Sequence, residues 1–215
     1  MSTKDVLVLM AGGYPNTAIQ KHLLSVNGSY LFERIISAVP VKNVWIVHNQ
    51  NTQGFWNGWY AREVPKEFSD KAISFFLDKQ NTKGEVTNPS LWMTSSIPSL
   101  LMNFEKEAVI YSAIDTYFEN FNFVDKLLSK DNAFVVGRAS DGERYVANML
   151  KTTTKNLLVN GQLPKGNMFS VAEMMTKKGT KFEVVKTDGS YANINSSEDL
   201  HKAQSSYSIE NKVIL

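Results

Sequence analysis

The chain has 215 residues, of which 43% are hydrophobic, including 12 Phe and 4 Trp. This composition provides enough apolar surface for a full core, so an intrinsically disordered protein is not expected. The net charge of +2, with lysines scattered among acidic residues, does not favour nucleic acid as a partner. The absence of cysteine excludes disulfides and cysteine-based zinc or nucleophile chemistry.

The hydropathy pattern concerns membranes and localisation. Only a short apolar stretch precedes Gly12, and nowhere do about 18 apolar residues run uninterrupted. We therefore expect no signal peptide, no membrane partner and a cytoplasmic location. Without a linker, repeat or low-complexity tract, residues 1–215 are expected to form a single domain. A homo-oligomer is compatible with the sequence.

The first 48 residues predict a strand, a helix and a second strand. A continuous apolar run at 6–10 predicts a buried strand, and residues 30–38 place Leu31, Ile35 and Ala38 on one helical face. Residues 43–48 again have the character of a strand. Two strands joined through a helix pair in parallel with a right-handed crossover, and such sheets bind ligands at the carboxyl ends of their strands.

The pattern continues to the middle of the chain. Residues 72–77 and 107–113 predict two further strands, and residues 90–104 predict a helix that is interrupted or restarted at Pro98. Asp115 follows the second of these strands, so it is expected at another strand end.

The second half predicts shorter elements. A short amphipathic helix is expected at 121–129, and short antiparallel strands beside the main sheet are expected at 133–137, 145–150 and 157–160. Ser170, three residues before Glu173, has the spacing of a capping box for a helix through Lys178. Ser196 or Ser197 is expected to start a last helix that ends near Gln204.

The first strand leads into Gly12 and Gly13, and Lys21 follows. Glycines after a strand expose backbone N–H groups to a phosphate, and a lysine nearby can add positive charge. The same glycines could instead serve only a tight turn, and Lys21 could be an ordinary solvated lysine. Asp115 could similarly be only the cap of a turn.

Four stretches resemble, in order, the sugar-nucleotidyltransferase superfamily with the GT-A-like fold, whose members activate sugar 1-phosphates, molybdopterin or phosphocholine with a nucleoside triphosphate. They are residues 9–28 (LMAGGYPNTAIQKHLLSVNG), 88–100 (NPSLWMTSSIPSL), 109–118 (VIYSAIDTYF) and 188–203 (DGSYANINSSEDLHKA). The resemblance implies a Rossmann-like α/β domain with a mixed, mainly parallel sheet flanked by helices and a small antiparallel part in the second half.

The resemblance also implies roles for particular residues. Lys21 and Asp115 would be catalytic, Lys21 stabilising charge at the reacting phosphates, and Asp115 and Asn193 would hold Mg²⁺. The remaining residues implied at the binding sites are Met10, Ala11, Gly12, Gly13, Asn88 and Ser90 for the nucleotide, and Gly166 and Asn167 for the acceptor.

The implied reaction transfers a nucleoside monophosphate from a triphosphate to a small phosphorylated acceptor, such as a sugar 1-phosphate or phosphocholine, and releases pyrophosphate. Two features depart from the family pattern: residues 14–18 (YPNTA) lack the arginine common in the first loop, and Asn193 stands where a carboxylate is usual. A neutral amide oxygen adds no charge to a metal site. A GT-A-like glycosyltransferase that uses a nucleotide sugar, and a non-catalytic nucleotide-binding relative, therefore stay open as alternatives.

Two other features could suggest function. The aromatic residues Phe55, Trp56, Trp59 and Tyr60 could stack on a sugar or base, but such a cluster more often anchors a loop or a subunit contact. The three histidines are far apart and lack zinc-site spacing. No nucleophile elbow or P-loop lysine-serine motif occurs, so hydrolase and P-loop kinase activities are not favoured.

Overall fold

A computed structural model describes residues 2–11, 19–77, 97–139, 144–159 and 168–211. The strands in these ranges are β1 (Ser2–Met10), β2 (Leu24–Val26), β3 (Ser29–Tyr30), β4 (Val41–His48), β5 (Ala72–Leu77), β6 (Ala108–Ala113), β7 (Thr116–Phe118), β8 (Ala133–Ala139), β9 (Arg144–Thr153), β10 (Glu183–Asn193) and β11 (Ile209–Asn211). The α-helices are α1 (Leu31–Ala38), α2 (Gln53–Glu67), α3 (Ile97–Asn103), α4 (Val124–Leu128), α5 (Thr154–Val159), α6 (Met168–Lys177) and α7 (Ser197–Tyr207). None of these helices combines the length and the apolar character needed to cross a membrane.

Eight strands form one mixed sheet in the order β5-β4-β1-β6-β9-β8-β10-β7. Strand β1 pairs in parallel with β4 on one side and β6 on the other, and β5 continues the parallel part beyond β4. Strand β9 is antiparallel to both of its neighbours, β6 and β8. The predicted α/β class with a mainly parallel sheet is confirmed, and the antiparallel strands of the second half extend this sheet.

The central strands are buried on both faces, which explains their continuous apolar runs. Leu7 and Leu9 of β1 point into a core shared with α1 and α2, whereas Val6 and Val8 point into a second core shared with α3, α5 and α6. The alternation follows from the two-residue period of a strand. Helices therefore cover both faces of the sheet.

A small separate sheet has the order β11-β2-β3. Strands β2 and β3 form a hairpin across Asn27 and Gly28, both of which have positive φ (49° and 86°). A two-residue type I′ turn requires this conformation at both positions, and Asn-Gly is its preferred sequence. Residues of this sheet form a third core with residues near the ends of β7 and β10.

The aromatic residues at 55–60 lie in α2, a helix that was not predicted. The side chains of Trp56 and Trp59 are fully buried against α1, so the hypothesis that they form a stacking platform is wrong. The indole Nε1 of Trp59 donates a hydrogen bond of 2.7 Å to Glu33 Oε1 in α1. Burial raises the pKa of the Glu33 carboxyl, while the hydrogen bonds from Trp59 and the Tyr30 backbone oppose that effect.

Two predictions in the second half are wrong. Of the strand predicted at 157–160, residues 157–159 lie instead in helix α5, and residue 160 is outside the described part of the chain. The Thr153 hydroxyl accepts a hydrogen bond from the Asn156 backbone N–H and so supports a first helical turn. A short apolar run such as Leu-Leu-Val does not distinguish strand from helix. Ser170 does not cap α6, because that helix already begins at Met168.

The close approach of β8 and β10 predicts a strong requirement for glycine at position 137. A Cβ atom there would lie 2.6 Å from the buried Tyr191 ring and 2.7 Å from Thr187 Oγ1. Gly137→Ala is expected to lower the free energy of unfolding by about 2 kcal/mol through overpacking. The measurement compares the free energies of unfolding in urea of the variant and the wild type, which should have the same m-value.

Gly58→Ala is the matched control, because its Cβ would meet open space in the middle of α2. This change is expected to stabilise the protein by about 0.5–1 kcal/mol, since alanine loses less backbone entropy in a helix. Equal effects of the two substitutions would contradict the packing explanation.

Candidate functional site

Three distant segments of the chain meet at the carboxyl end of the parallel strands. The Lys21 Nζ donates hydrogen bonds to Asp115 Oδ2 and, at 2.6 Å, to Asn195 Oδ1. The side chain of Lys21 is 18% exposed and that of Asp115 is 9% exposed. This ion pair is therefore largely shielded from water and is screened less by salt than a surface pair.

Asp115 is positioned by the main sheet. It follows β6, the parallel neighbour of β1, and its backbone oxygen accepts a hydrogen bond of 3.0 Å from Ile194 N–H. Strand β10 pairs with β7 so that Asn193 is opposite Thr116, the residue after Asp115. The predicted metal residues Asp115 and Asn193 are thus brought to adjacent positions on paired backbone.

Lys21 is positioned by the small sheet and its core. It begins a 3-10 turn, Lys21–Leu23, in which Leu23 N–H donates to Gln20 O at 2.8 Å. Ile19 and Leu24, on either side of this turn, are buried in the same cluster as Ile194. Packing within this cluster holds the turn against the segment that carries the two asparagines.

Asn195 is a site residue that the sequence analysis did not identify. Its backbone N–H donates to Asp199 Oδ2 at 3.1 Å, next to the capping box in which Ser196 and Asp199 bond each other's backbone N–H groups. The cap of α7 therefore fixes the backbone of Asn195. Its spacing of two from Asn193 was the available signal, because residues two apart at the end of a strand lie on the same side.

Two buried oxygen atoms, Asp115 Oδ1 and Asn193 Oδ1, have no hydrogen-bond partner among the residues that the structure describes. Buried polar atoms are nearly always paired, so each unpaired one needs an explanation. A carboxylate oxygen and an amide oxygen are ligands that suit Mg²⁺, which usually takes one or two protein ligands and completes its shell with water and phosphate. The chemistry of this donor set fits the magnesium ion implied by the resemblance.

Only two of the other residues implied at the nucleotide and acceptor sites lie in the described part of the chain. Met10 and Ala11 are buried at the end of β1, and Ala11 N–H donates to Val47 O at 2.8 Å, within the sheet. The remaining predicted residues lie outside the described part of the chain: Gly12, Gly13, Asn88, Ser90, Gly166 and Asn167. Their roles stay predictions.

His22, beside Lys21, is neutral at physiological pH. Its ring packs against Phe55 with centroids 4.7 Å apart, and burial lowers the pKa of the imidazole from its ordinary 6.5 to about 4. The ring therefore adds no positive charge to the site near pH 7. Among the described residues, no group of three His, Cys, Asp or Glu side chains could hold a metal ion.

Solved structures that superpose on this chain include several that are described as nucleotide-using transferases. The chain superposes on a protein described as a glucose-1-phosphate thymidylyltransferase from Bacillus anthracis, in complex with sucrose, with a TM-score of 0.70, 12% identity, and coverage of 100% of this chain and 97% of that one. For the inositol-1-phosphate CTP transferase from T. maritima, the TM-score is 0.67 at 12% identity, covering 93% and 92% of the two chains. For UTP-bound UGPase from Acinetobacter baumannii, it is 0.65 at 11% identity, covering 96% and 93%.

No family model and no curated protein matches the chain by sequence. The similarity to the solved structures spans nearly the whole length of both partners, so the chain has the nucleotidyltransferase fold. The resemblance noted in the sequence is thereby confirmed for the fold.

The burial of His22 predicts a specific acid sensitivity. Because the folded-state pKa lies below the unfolded one, the unfolded chain binds more protons between about pH 6.5 and pH 4, and stability falls as the pH is lowered through that window. One pKa unit corresponds to about 1.4 kcal/mol, and because the ring is only partly buried, solvent screening reduces the expected loss to about 1–2 kcal/mol.

The measurement compares unfolding free energies of the wild type and His22→Gln at pH 7 and pH 4.5. The variant is expected to lose less stability on acidification, since its side chain takes up no proton. Parallel pH profiles for the two proteins would contradict this account of His22.

Proposed function

We propose that this protein is a nucleotidyltransferase that joins a nucleoside monophosphate, taken from a triphosphate, to a small phosphorylated acceptor. The observation that carries the proposal is the hydrogen-bonded grouping of Lys21, Asp115 and Asn195 beside the end of β6, with Asn193 on the strand paired next to Asp115. Such edges are where open α/β sheets bind ligands. The names of the structural neighbours, which include a thymidylyltransferase and a CTP transferase, support the same reaction type.

The reaction brings several negative charges together. A phosphate oxygen of the acceptor attacks the α-phosphorus of the triphosphate, a new phosphorus–oxygen bond forms, and the bond to the bridging oxygen breaks to release pyrophosphate. The acceptor is already an anion, so no general base is required. The protein has to hold the reactants in line and stabilise the charge that develops on the phosphoryl oxygens.

Lys21 is the residue suited to that charge. It stands beside the edge of the sheet with three donors on its ammonium group, of which the structure uses two for Asp115 and Asn195. In this role the lysine meets a phosphate oxygen of the bound triphosphate. The loop at 14–18 contains no arginine, which gives Lys21 a larger share of the charge than in relatives that carry one.

Asp115 and Asn193 would hold Mg²⁺ through their unpaired oxygens. When bound, the ion supplies positive charge against the phosphates as a Lewis acid. Asp115 contributes the charge of this pair, and Asn193 contributes a neutral oxygen whose orientation is set by the pairing of β10 with β7.

A ligand screen tests the proposed function. We expect one of the common nucleoside triphosphates to raise the melting temperature when Mg²⁺ is present, because a ligand that binds only the folded state stabilises it. With that triphosphate, we expect pyrophosphate release when a sugar 1-phosphate or phosphocholine is added. Stabilisation by nucleotide sugars alone would instead support the glycosyltransferase alternative. No stabilisation by either class would support a non-catalytic relative.

Lys21→Gln is expected to lower kcat by about a hundredfold, a loss typical for removal of one donor that meets developing charge. The measurement is pyrophosphate release at saturating substrate. Lys4→Gln is the matched control, because Lys4 is an exposed lysine that pairs with Glu107 at the opposite end of β1. Equal turnover in the wild type and Lys21→Gln would remove the lysine from the mechanism.

A further inference from the structure

The site formed by Lys21, Asp115, Asn193 and Asn195 is electrically balanced without any ligand. The ammonium of Lys21 compensates the carboxylate of Asp115, and the two asparagines are neutral. The neighbouring carboxylate of Asp199 accepts hydrogen bonds from the backbone N–H groups of Asn195 and Ser196 at the start of α7. Asp115 therefore already has a cation as its partner.

A divalent cation bound at this site would lie close to the Lys21 ammonium. Lys21 Nζ occupies Oδ2 of Asp115, so a cation on the unpaired Oδ1 would lie only the width of a carboxylate group away. Two positive centres that share one negative charge repel each other, and the low exposure of the pair strengthens the repulsion. Asn193 cannot offset it, because its oxygen brings no charge.

Asn195 is a second hydrogen-bond partner of Lys21. Its Oδ1 accepts from the same ammonium, and its backbone is fixed by the α7 cap. An ammonium that leaves Asp115 keeps this neutral partner and stays at the rim of the site. To leave Asp115, the Lys21 ammonium needs another anion as its partner.

We infer that Lys21 blocks the cation site of the free protein, and that a divalent cation binds tightly only together with phosphate oxygens that draw the lysine away from Asp115. The identification of those oxygens with a nucleoside triphosphate rests on the proposed function. The competition between lysine and cation for Asp115 does not. The site would thus reject Mg²⁺ alone and accept it with its phosphate ligand.

The test measures the binding of Mn²⁺ alone to the wild type, Lys21→Gln and Lys4→Gln. Electron paramagnetic resonance of the free ion gives the dissociation constant. We expect Lys21→Gln to bind Mn²⁺ about tenfold tighter or more, because it removes the competing charge at short range. Lys4→Gln removes the same charge at the far end of β1 and is expected to bind like the wild type. Adding Asp115→Asn to Lys21→Gln should abolish the gain.

Equal Mn²⁺ affinity in the wild type and Lys21→Gln would overturn the inference. So would a gain that Lys4→Gln shares, or one that survives Asp115→Asn. These results do not depend on turnover: failure to release pyrophosphate from any triphosphate refutes the proposed function and leaves the Mn²⁺ comparison valid.

Loss of Lys21 leaves a buried carboxylate unpaired, which is destabilising, so a second measurement uses only the wild type. Its melting temperature is recorded with Mn²⁺, with inorganic tripolyphosphate, and with both. We expect a shift with both ligands that exceeds the sum of the separate shifts, because the polyphosphate gives Lys21 a new partner. The inference would be overturned if Mn²⁺ alone raised the melting temperature as much as both ligands together do. It would also be overturned if the shift with both ligands equalled the sum of the separate shifts.

Discussion

The parallel pairing of β1 with β4 and β6 is the constraint on which the rest of the molecule depends. Parallel neighbours end at the same edge of a sheet, so this pairing places Met10, at the end of β1, beside Ala113, at the end of β6. It also buries both faces of β1, which requires helices on both sides. The site at this edge is therefore a consequence of strand direction, and its rigidity comes from strands in the interior of the sheet.

A second constraint on the site comes from the C-terminal part of the chain. Lys21 lies in the turn directly before β2, which pairs in the small sheet with β11, the strand that follows α7. Asn195 directly precedes Ser196, the N-cap of α7, and Asn193 is the last residue of β10. The turn at Lys21 and the segment at 193–195 are thus held together by the third hydrophobic core, and Lys21 is also hydrogen-bonded to Asn195. The ion pair between Lys21 and Asp115 joins this unit to the main sheet.

The balance of charge distinguishes this site from a generic anion cradle. One lysine, one carboxylate and two amides give a neutral cluster with two unpaired buried oxygens. On the proposed function, a cation accompanied by phosphate would satisfy the oxygens and the lysine at once.

The sequence by itself determined the α/β class and the parallel strands β1, β4, β5 and β6, because buried runs and turn residues are local signals. The resemblance, and not a local pattern alone, made Lys21 and Asp115 candidate site residues. Helix α2 was not predicted, because Gly54 and Gly58 are poor helix formers and its apolar residues make only a weak amphipathic pattern. The residues of α5 were taken for a strand because their apolar run is too short to show a period. Only the tertiary structure identified Asn195 and showed that Lys21 already occupies one oxygen of Asp115. Those contacts join residues 94 and 174 positions apart, and no local pattern encodes which distant side chains share a hydrogen bond.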